Sequence, residues 1–314
     1  MKKLFNCPAK AALIRSLMAL VVAAGLSGCA AVNLPAVSEQ STNLSLSGKI
    51  VWHDLITDDP EASARFYGEL FGWEFDQVGG EYGLGDDSAY TLIRNNGRLI
   101  GGMVNENKLQ RSEDLSQWIV LMSVSDIQSA IIKLEAAGGI VYTPPTELES
   151  RGWLAVVSDP QGAILALVQT ANGDPIDRKP RVGDFLWNEV WTDDVTSATN
   201  FYGHLAAYNK ETTVLDDDFT YKILGAQNRP RIGVVQHPVP DMDPVWVSYI
   251  RVEDPDPLLE RVEELGGTVL LETRERAAGG KVALIQGPSG AGIALQTWDP
   301  EHRGERPSAN LRKE

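Results

Sequence analysis

Two short stretches place indoles and carboxylates at a spacing of two. Trp52 and Asp54 stand in Val51-Trp52-His53-Asp54-Leu55-Ile56-Thr57, and Trp187, Glu189 and Trp191 stand in Leu186-Trp187-Asn188-Glu189-Val190-Trp191-Thr192. On a β-strand successive side chains alternate between faces, so each stretch presents its acid and its indoles on one side. An acid between indole faces suits a planar or cationic small molecule. The rings supply apolar area and cation–π attraction, and the carboxylate supplies an acceptor or counter-ion. The same acid, with its pKa raised by the indoles, suits a general base, which makes Asp54 and Glu189 the candidate catalytic residues of a lyase or isomerase. The bland alternative is that the rings only plug a void, with the acids satisfied by backbone or by Arg98 and Arg231 nearby in sequence. Close packing favours the plug, and the cost of burying a carboxylate favours the pocket.

By the same alternation His53 shares the opposite face with Leu55 and Thr57, turned toward a helix. A one-residue bulge before it would swap the faces. Asn188 stands at its place in the second stretch. Neither His204 nor His237 has a His or Glu at metal-ligand spacing, and His302 lies in a charged tail.

The elements that must carry these stretches are themselves repeated. Phe66-Tyr67-Gly68 returns as Phe201-Tyr202-Gly203 with the same offset of 135 as the strands. Trp118, Asp126, Gly138-Gly139 and Asp159-Pro160-Gln161-Gly162 return as Trp246, Asp254, Gly266-Gly267 and Gly287-Pro288-Ser289-Gly290 with an offset of 128. A repeat of this length is a domain, not a solenoid unit. The spacing predicts domains over 48–170 and 184–298, a linker over 171–183 and a charged tail over 299–314. Within each copy the pattern reads βαβββ twice. Asp59-Pro60-Glu61 is a helix start, with an acceptor at the N-cap, Pro at the first helical position and an acid in the first turn.

Residues 1–28 hold Lys2, Lys3, Lys10 and Arg15 ahead of an apolar run from Leu17 to Leu26, which reads as a secretory signal. It ends in Leu26-Ser27-Gly28-Cys29, similar to the lipobox of bacterial lipoproteins. That resemblance implies lipidation at Cys29, a membrane partner through that lipid, and, with Ala30 following, sorting to the outer membrane facing the periplasm. Residues 29–47 lack any period and read as a flexible tether. The two cysteines are Cys7 and Cys29, so the mature domains hold no disulfide and no thiolate metal site. The formal charge of −15 argues against nucleic acid as a partner.

Paired βαβββ units with Phe-Tyr on the first helix, Gly-Gly after the second and Asp-Pro-x-Gly before the last strand resemble the vicinal oxygen chelate superfamily. That superfamily includes glyoxalase I, extradiol dioxygenases and bleomycin-resistance proteins. The resemblance implies an α+β fold of two tandem domains, each a curled eight-stranded mixed sheet with helices outside. The superfamily places a divalent metal in the cup, but in detail the chain resembles its tandem-domain, metal-free glyoxalase/bleomycin-resistance-like branch. The ligand positions correspond here to Trp52, Ile119 and Ala166, and in the second copy to Trp187, Val247 and Ala294, none of which can ligate a hard or borderline ion. The expectation is therefore no metal and no cofactor. The chain then reads as a membrane-anchored small-molecule binding protein with Trp52, Asp54, Trp187, Glu189 and Trp191 as its binding residues. A structural or protein-interaction module of the envelope and a metal-independent lyase or isomerase are the alternatives.

Overall fold

The computed structural model describes residues 34–78, 90–109, 116–206, 208–216, 219–238, 242–276 and 279–298. Residues 1–33, with the expected signal and Cys29, and residues from 299 lie outside them. The first copy runs β1 (Ile50–Thr57), α1 (Pro60–Phe71), β2 (Trp73–Gln77), β3 (Tyr90–Asn95), β4 (Arg98–Asn105), β5 (Gln117–Ser123), α2 (Ile127–Ala136), β6 (Ile140–Leu148), β7 (Gly152–Ser158) and β8 (Ile164–Thr170). The second runs β9 (Phe185–Thr192), α3 (Val195–Ala206), β10 (Lys210–Asp216), β11 (Phe219–Ala226), β12 (Arg229–Gln236), β13 (Val245–Val252), α4 (Asp256–Val262), β14 (Thr268–Glu275), β15 (Lys281–Gln286) and β16 (Gly292–Thr297).

The helix starts follow their side chains. Asp59 accepts from the Ala62 N–H at 2.9 Å with Pro60 in the first turn, and Asp126 and Asp194 accept in the same way from Ser129 and Ser197. Each copy closes one eight-stranded mixed sheet, in the orders β2-β3-β4-β1-β5-β8-β7-β6 and β10-β11-β12-β9-β13-β16-β15-β14. Antiparallel pairing of β1 with β5 joins the two βαβββ units of the first copy, and β9 with β13 does so in the second.

The helices lie on the convex faces, and the convex faces of the two sheets meet. Phe66, Tyr67 and Leu70 of α1 pack in one apolar cluster with Leu55, Ile93 and Trp118 of their own sheet and with Ile250, Ala283, Ile285 and Ile293 of the other. In the reciprocal cluster Phe201 and Tyr202 of α3 pack with Val190 and Trp246 of their own sheet and with Val120, Met122 and Val157 of the first. Each copy therefore shares its core with the other. A fully buried side chain of this size contributes roughly 1.5–3 kcal/mol, so these two helices bind the copies far more firmly than a surface contact would.

This arrangement explains the repeated motifs. Trp118 donates to the Tyr67 hydroxyl and Trp246 to the Tyr202 hydroxyl, each at 3.2 Å. Tyr202 reaches across to donate to Asp159 Oδ2 at 3.0 Å. At the matching place Gly287 replaces the acid, and a Cβ there would lie 2.7 Å from the Tyr67 hydroxyl.

Residues 34–47, expected as a flexible tether, are held at several points. Leu34 and Val37 are buried in the concave cluster of the first sheet, and Thr42 and Leu46 bond to the linker at Asn172 and Asp174. The expectation failed because it weighed only periodicity, and an irregular segment can be held by isolated apolar side chains.

Candidate functional site

The concave face of each sheet carries the residues singled out in the sequence. A register irregularity does fall between Ile50 and Trp52, at Val51, ahead of the indole and the acid. From Trp52 to Ile56 the strand pairs without interruption with Leu121 to Gln117. Trp52 and Ile56 therefore share the concave cluster with Ile119, Leu121 and Ala166, while Leu55 packs into the convex one. The second copy has its irregularity at the matching place, where Tyr249 faces Trp187 and Ile250 faces Phe185. His53 accordingly turns away from the cup. Its ring stacks on Phe185 at 3.6 Å and its Nε2 meets Asn188 Oδ1 at 2.8 Å, so the two duplicated positions touch each other between the sheets. Burial lowers the pKa of His53 to about 4, with the Asn188 bond opposing only part of the shift.

In cup one the carboxylate of Asp54 is buried. Its Oδ1 accepts from Trp52 Nε1 at 2.8 Å and from the Tyr90 hydroxyl at 2.6 Å. Arg151, fully buried in the turn between β6 and β7, lies with its guanidinium 4.7 Å from the Trp52 ring centroid. It donates to Tyr90 at 3.1 Å and stands 3.6 Å from Asp54 Oδ2.

Cup two repeats this arrangement and enlarges it. Glu189 Oε1 accepts from Trp187 Nε1 at 3.1 Å, from the Tyr221 hydroxyl at 2.7 Å and from Arg276. Its Oε2 accepts from Trp191 Nε1 at 3.3 Å and from the Tyr249 hydroxyl. Arg276 follows β14, lies over the Tyr221 and Tyr249 rings, and also donates to Gln296. Glu189 and Trp191 are buried, and Trp187 is half-buried. The close approach of acid and tyrosine depends on a glycine on the neighbouring strand. Gly233 stands opposite Glu189, and a Cβ there would fall 2.7 Å from both Glu189 Cγ and the Tyr221 hydroxyl. Gly102 stands opposite Asp54, where a Cβ would fall 2.6 Å from Asp54 Oδ1.

Two expectations about the acids are corrected. Their cationic partners are Arg151 and Arg276, not Arg98 and Arg231. Arg98 pairs with Asp184 at 2.8 Å and Arg231 with Asp177 at 2.7 Å, both away from the cups. The indoles do not raise the pKa of Glu189. Burial pushes it up, but Arg276 and the two tyrosine hydroxyls more than offset that and hold it below the ordinary carboxylate value.

Tyr90 and Tyr221 were missed because the copies slip against one another between the matched blocks, whereas Arg151 and Arg276, 125 positions apart, follow neither offset. Tyr90 and Gly102 match Tyr221 and Gly233 at an offset of 131, intermediate between 135 and 128. That intermediate step was the available signal. Each cup offers one carboxylate already ion-paired with an arginine, beside indole, phenol, aliphatic and methyl groups. Among the described residues no three His, Cys, Asp or Glu converge as a metal site. A divalent ion placed among these side chains would meet one engaged carboxylate and a guanidinium of its own sign, so the residues present do not fit the superfamily metal.

With this geometry in place, residues 49–167 match the family model described as the Glyoxalase/Bleomycin resistance protein/Dioxygenase superfamily. The first domain belongs to that superfamily, and the chain is built of two tandem domains of its fold. The chain is similar to "Putative glyoxylase CFP32" of Mycobacterium tuberculosis, 26% identical over 242 residues that span 76% of this chain and 91% of that protein. It is also similar to "Anthracycline biosynthesis protein DnrV" of Streptomyces peucetius, 27% identical over 260 residues that span 79% and 92%. Among solved structures, the Mn(II)-bound glyoxalase from Novosphingobium aromaticivorans superposes with a TM-score of 0.56 at 17% identity, covering 81% of this chain and 83% of that one. Homoprotocatechuate 2,3-dioxygenase from Arthrobacter globiformis does so with a TM-score of 0.56 at 12% identity, covering 86% of each. At these identities the structures share the fold alone.

Proposed function

We propose that this protein binds a small planar molecule in cup two without a metal ion. The observation that carries the reading is Glu189: a buried carboxylate held by two indoles, two phenols and Arg276, beside the half-buried face of Trp187. Such a wall is rigid and aromatic, and its polar atoms are oriented before any ligand arrives. Because Arg276 already matches the charge of Glu189, the cup holds no uncompensated negative charge for a cation, and a neutral planar ligand is the preferred class. A relative named for anthracycline biosynthesis agrees with a planar ligand. The lowered pKa of Glu189 weakens the general-base alternative, since a base must take up a proton near working pH. Lipidation at Cys29, and with it an envelope location, belongs to the same proposal and rests on Leu26-Ser27-Gly28-Cys29.

Titration of tryptophan emission with neutral 1,4-dihydroxyanthraquinone and cationic 9-aminoacridine tests the site. The neutral probe should saturate more tightly, and Glu189→Gln, which loosens the wall, should weaken it about ten- to a hundredfold. Saturable binding that Glu189→Gln leaves unchanged, or no binding by any planar probe, would overturn the reading.

A further inference from the structure

The two cups each carry a carboxylate, a tyrosine, a tryptophan and an arginine. Among the described residues the apolar cluster of cup two takes only the partly buried Met242 from outside its strands, whereas cup one is covered by a segment from the N-terminal side of its sheet. Leu34, Pro35 and Val37 are buried, and Leu34 and Val37 join Trp52, Tyr90 and Leu121 in one apolar cluster. The Pro35 carbonyl accepts from Arg151 Nε at 2.9 Å. Trp52 is 1% exposed, whereas its counterpart Trp187 is only half-buried. The cup thus already holds an irregular peptide, bent at Val37, with an apolar residue, a second three positions on, and a backbone carbonyl between them on the arginine.

Outside the cup itself the hold on this strap is slight. Residues 34–40 pair with no strand of the described sheets, and beyond the cup they are tied down by the Glu39–Arg94 ion pair, in which Glu39 is 54% exposed. Exposed pairs of this kind contribute little. Firm anchorage begins only afterwards. Thr42 Oγ1 donates to the Asp174 carbonyl at 2.6 Å and the Leu46 N–H to Asp174 Oδ2 at 2.6 Å, so 34–40 can leave without disturbing the fold behind them. The strap is also an incomplete partner. Arg151 is fully buried, and its Nη1, 3.6 Å from Asp54 Oδ2, has no hydrogen-bond acceptor among the described residues. A buried donor that makes no hydrogen bond is costly even beside a counter-ion, and a ligand that brings a second acceptor gains what the strap forgoes.

We propose that cup one is a binding site for a short irregular peptide segment with two apolar residues three positions apart, with residues 34–40 as its built-in occupant and Arg151 as the group that reads the backbone carbonyl. A competing segment of the same pattern, with a further acceptor for Nη1, displaces the strap and opens the cup. This site is separate from cup two and does not depend on the ligand proposed there.

The test uses the acetylated peptide Leu-Pro-Ala-Val-Ser-Glu-Gln, which is residues 34–40, carrying a fluorescent label and followed by anisotropy. The full chain with Leu34→Asp and Val37→Asp should bind it at least tenfold more tightly than the unaltered chain. Glu189→Gln should leave that binding unchanged. Equal binding by both chains, no binding by a folded strap variant, or loss of binding on Glu189→Gln would each overturn the proposal. Hydrogen exchange on the unaltered protein gives a second measurement free of folding effects. Amides of residues 36–40 should exchange at least a hundredfold faster than those of β1, and equal protection of the two segments would refute a strap that opens.

Discussion

Replacing Arg276 by methionine should destabilise the protein strongly at neutral pH and much less in acid. At neutral pH the substitution leaves Glu189, 1% exposed, ionised without its counter-ion while its four hydroxyl and indole donors remain. Breaking a buried pair by removing one partner costs about 3–5 kcal/mol. At roughly 2–4 °C per kcal/mol, Tm should fall by roughly 6–20 °C. The pH dependence follows from linkage. In the native protein Arg276 and the phenols hold the Glu189 pKa down, so its contribution is present above the unfolded carboxylate value and lost as pH falls through the lower, folded one. In Arg276→Met the cation is gone, burial dominates and the folded pKa rises above the unfolded value. The variant therefore takes up a proton on folding, and its deficit shrinks as pH falls through that raised pKa, by about 1.4 kcal/mol for each unit of difference. Thermal unfolding followed by circular dichroism at pH 7.5 and pH 4.5 measures both deficits. A loss below about 1 kcal/mol at pH 7.5, or one of equal size at both pH values, would refute the reasoning.

His53 gives a second pH signature: with its folded pKa at about 4 against 6.5 unfolded, stability is full above 6.5 and falls by about 3 kcal/mol as pH drops to 4, and His53→Gln should remove that dependence in denaturant titrations. Because each copy shares its core with the other, calorimetry should show one cooperative unfolding transition, and two separable transitions would contradict the shared clusters. Cys29→Ser should leave the protein out of the detergent phase on extraction, and unchanged partitioning would remove the case for a lipid anchor.

Much of the fold was legible because its signals are local and occur twice. The offset of 135 between the indole–acid stretches, the Asp N-caps and the alternation along β1 and β9 depend on neighbouring residues, and they correctly set Trp52 and Asp54 apart from His53. The arginine partners were not legible. Arg276 reaches Glu189 across 87 residues from the end of a different strand, and Arg98 and Arg231, closer in sequence, are drawn to Asp184 and Asp177 instead. The strap left no trace either, since Leu34 and Val37 carry no periodicity and their burial depends on a cup that closes only when β5 and β8 are in place.

The most direct test of the central claim is a calorimetric titration of the full chain with 1,4-dihydroxyanthraquinone after treatment with a chelator. The account predicts one site per chain, because the strap fills cup one, with affinity unaltered by the chelator and reduced at least tenfold by Glu189→Gln. Binding that requires restored metal, or two equivalent sites per chain, would contradict it.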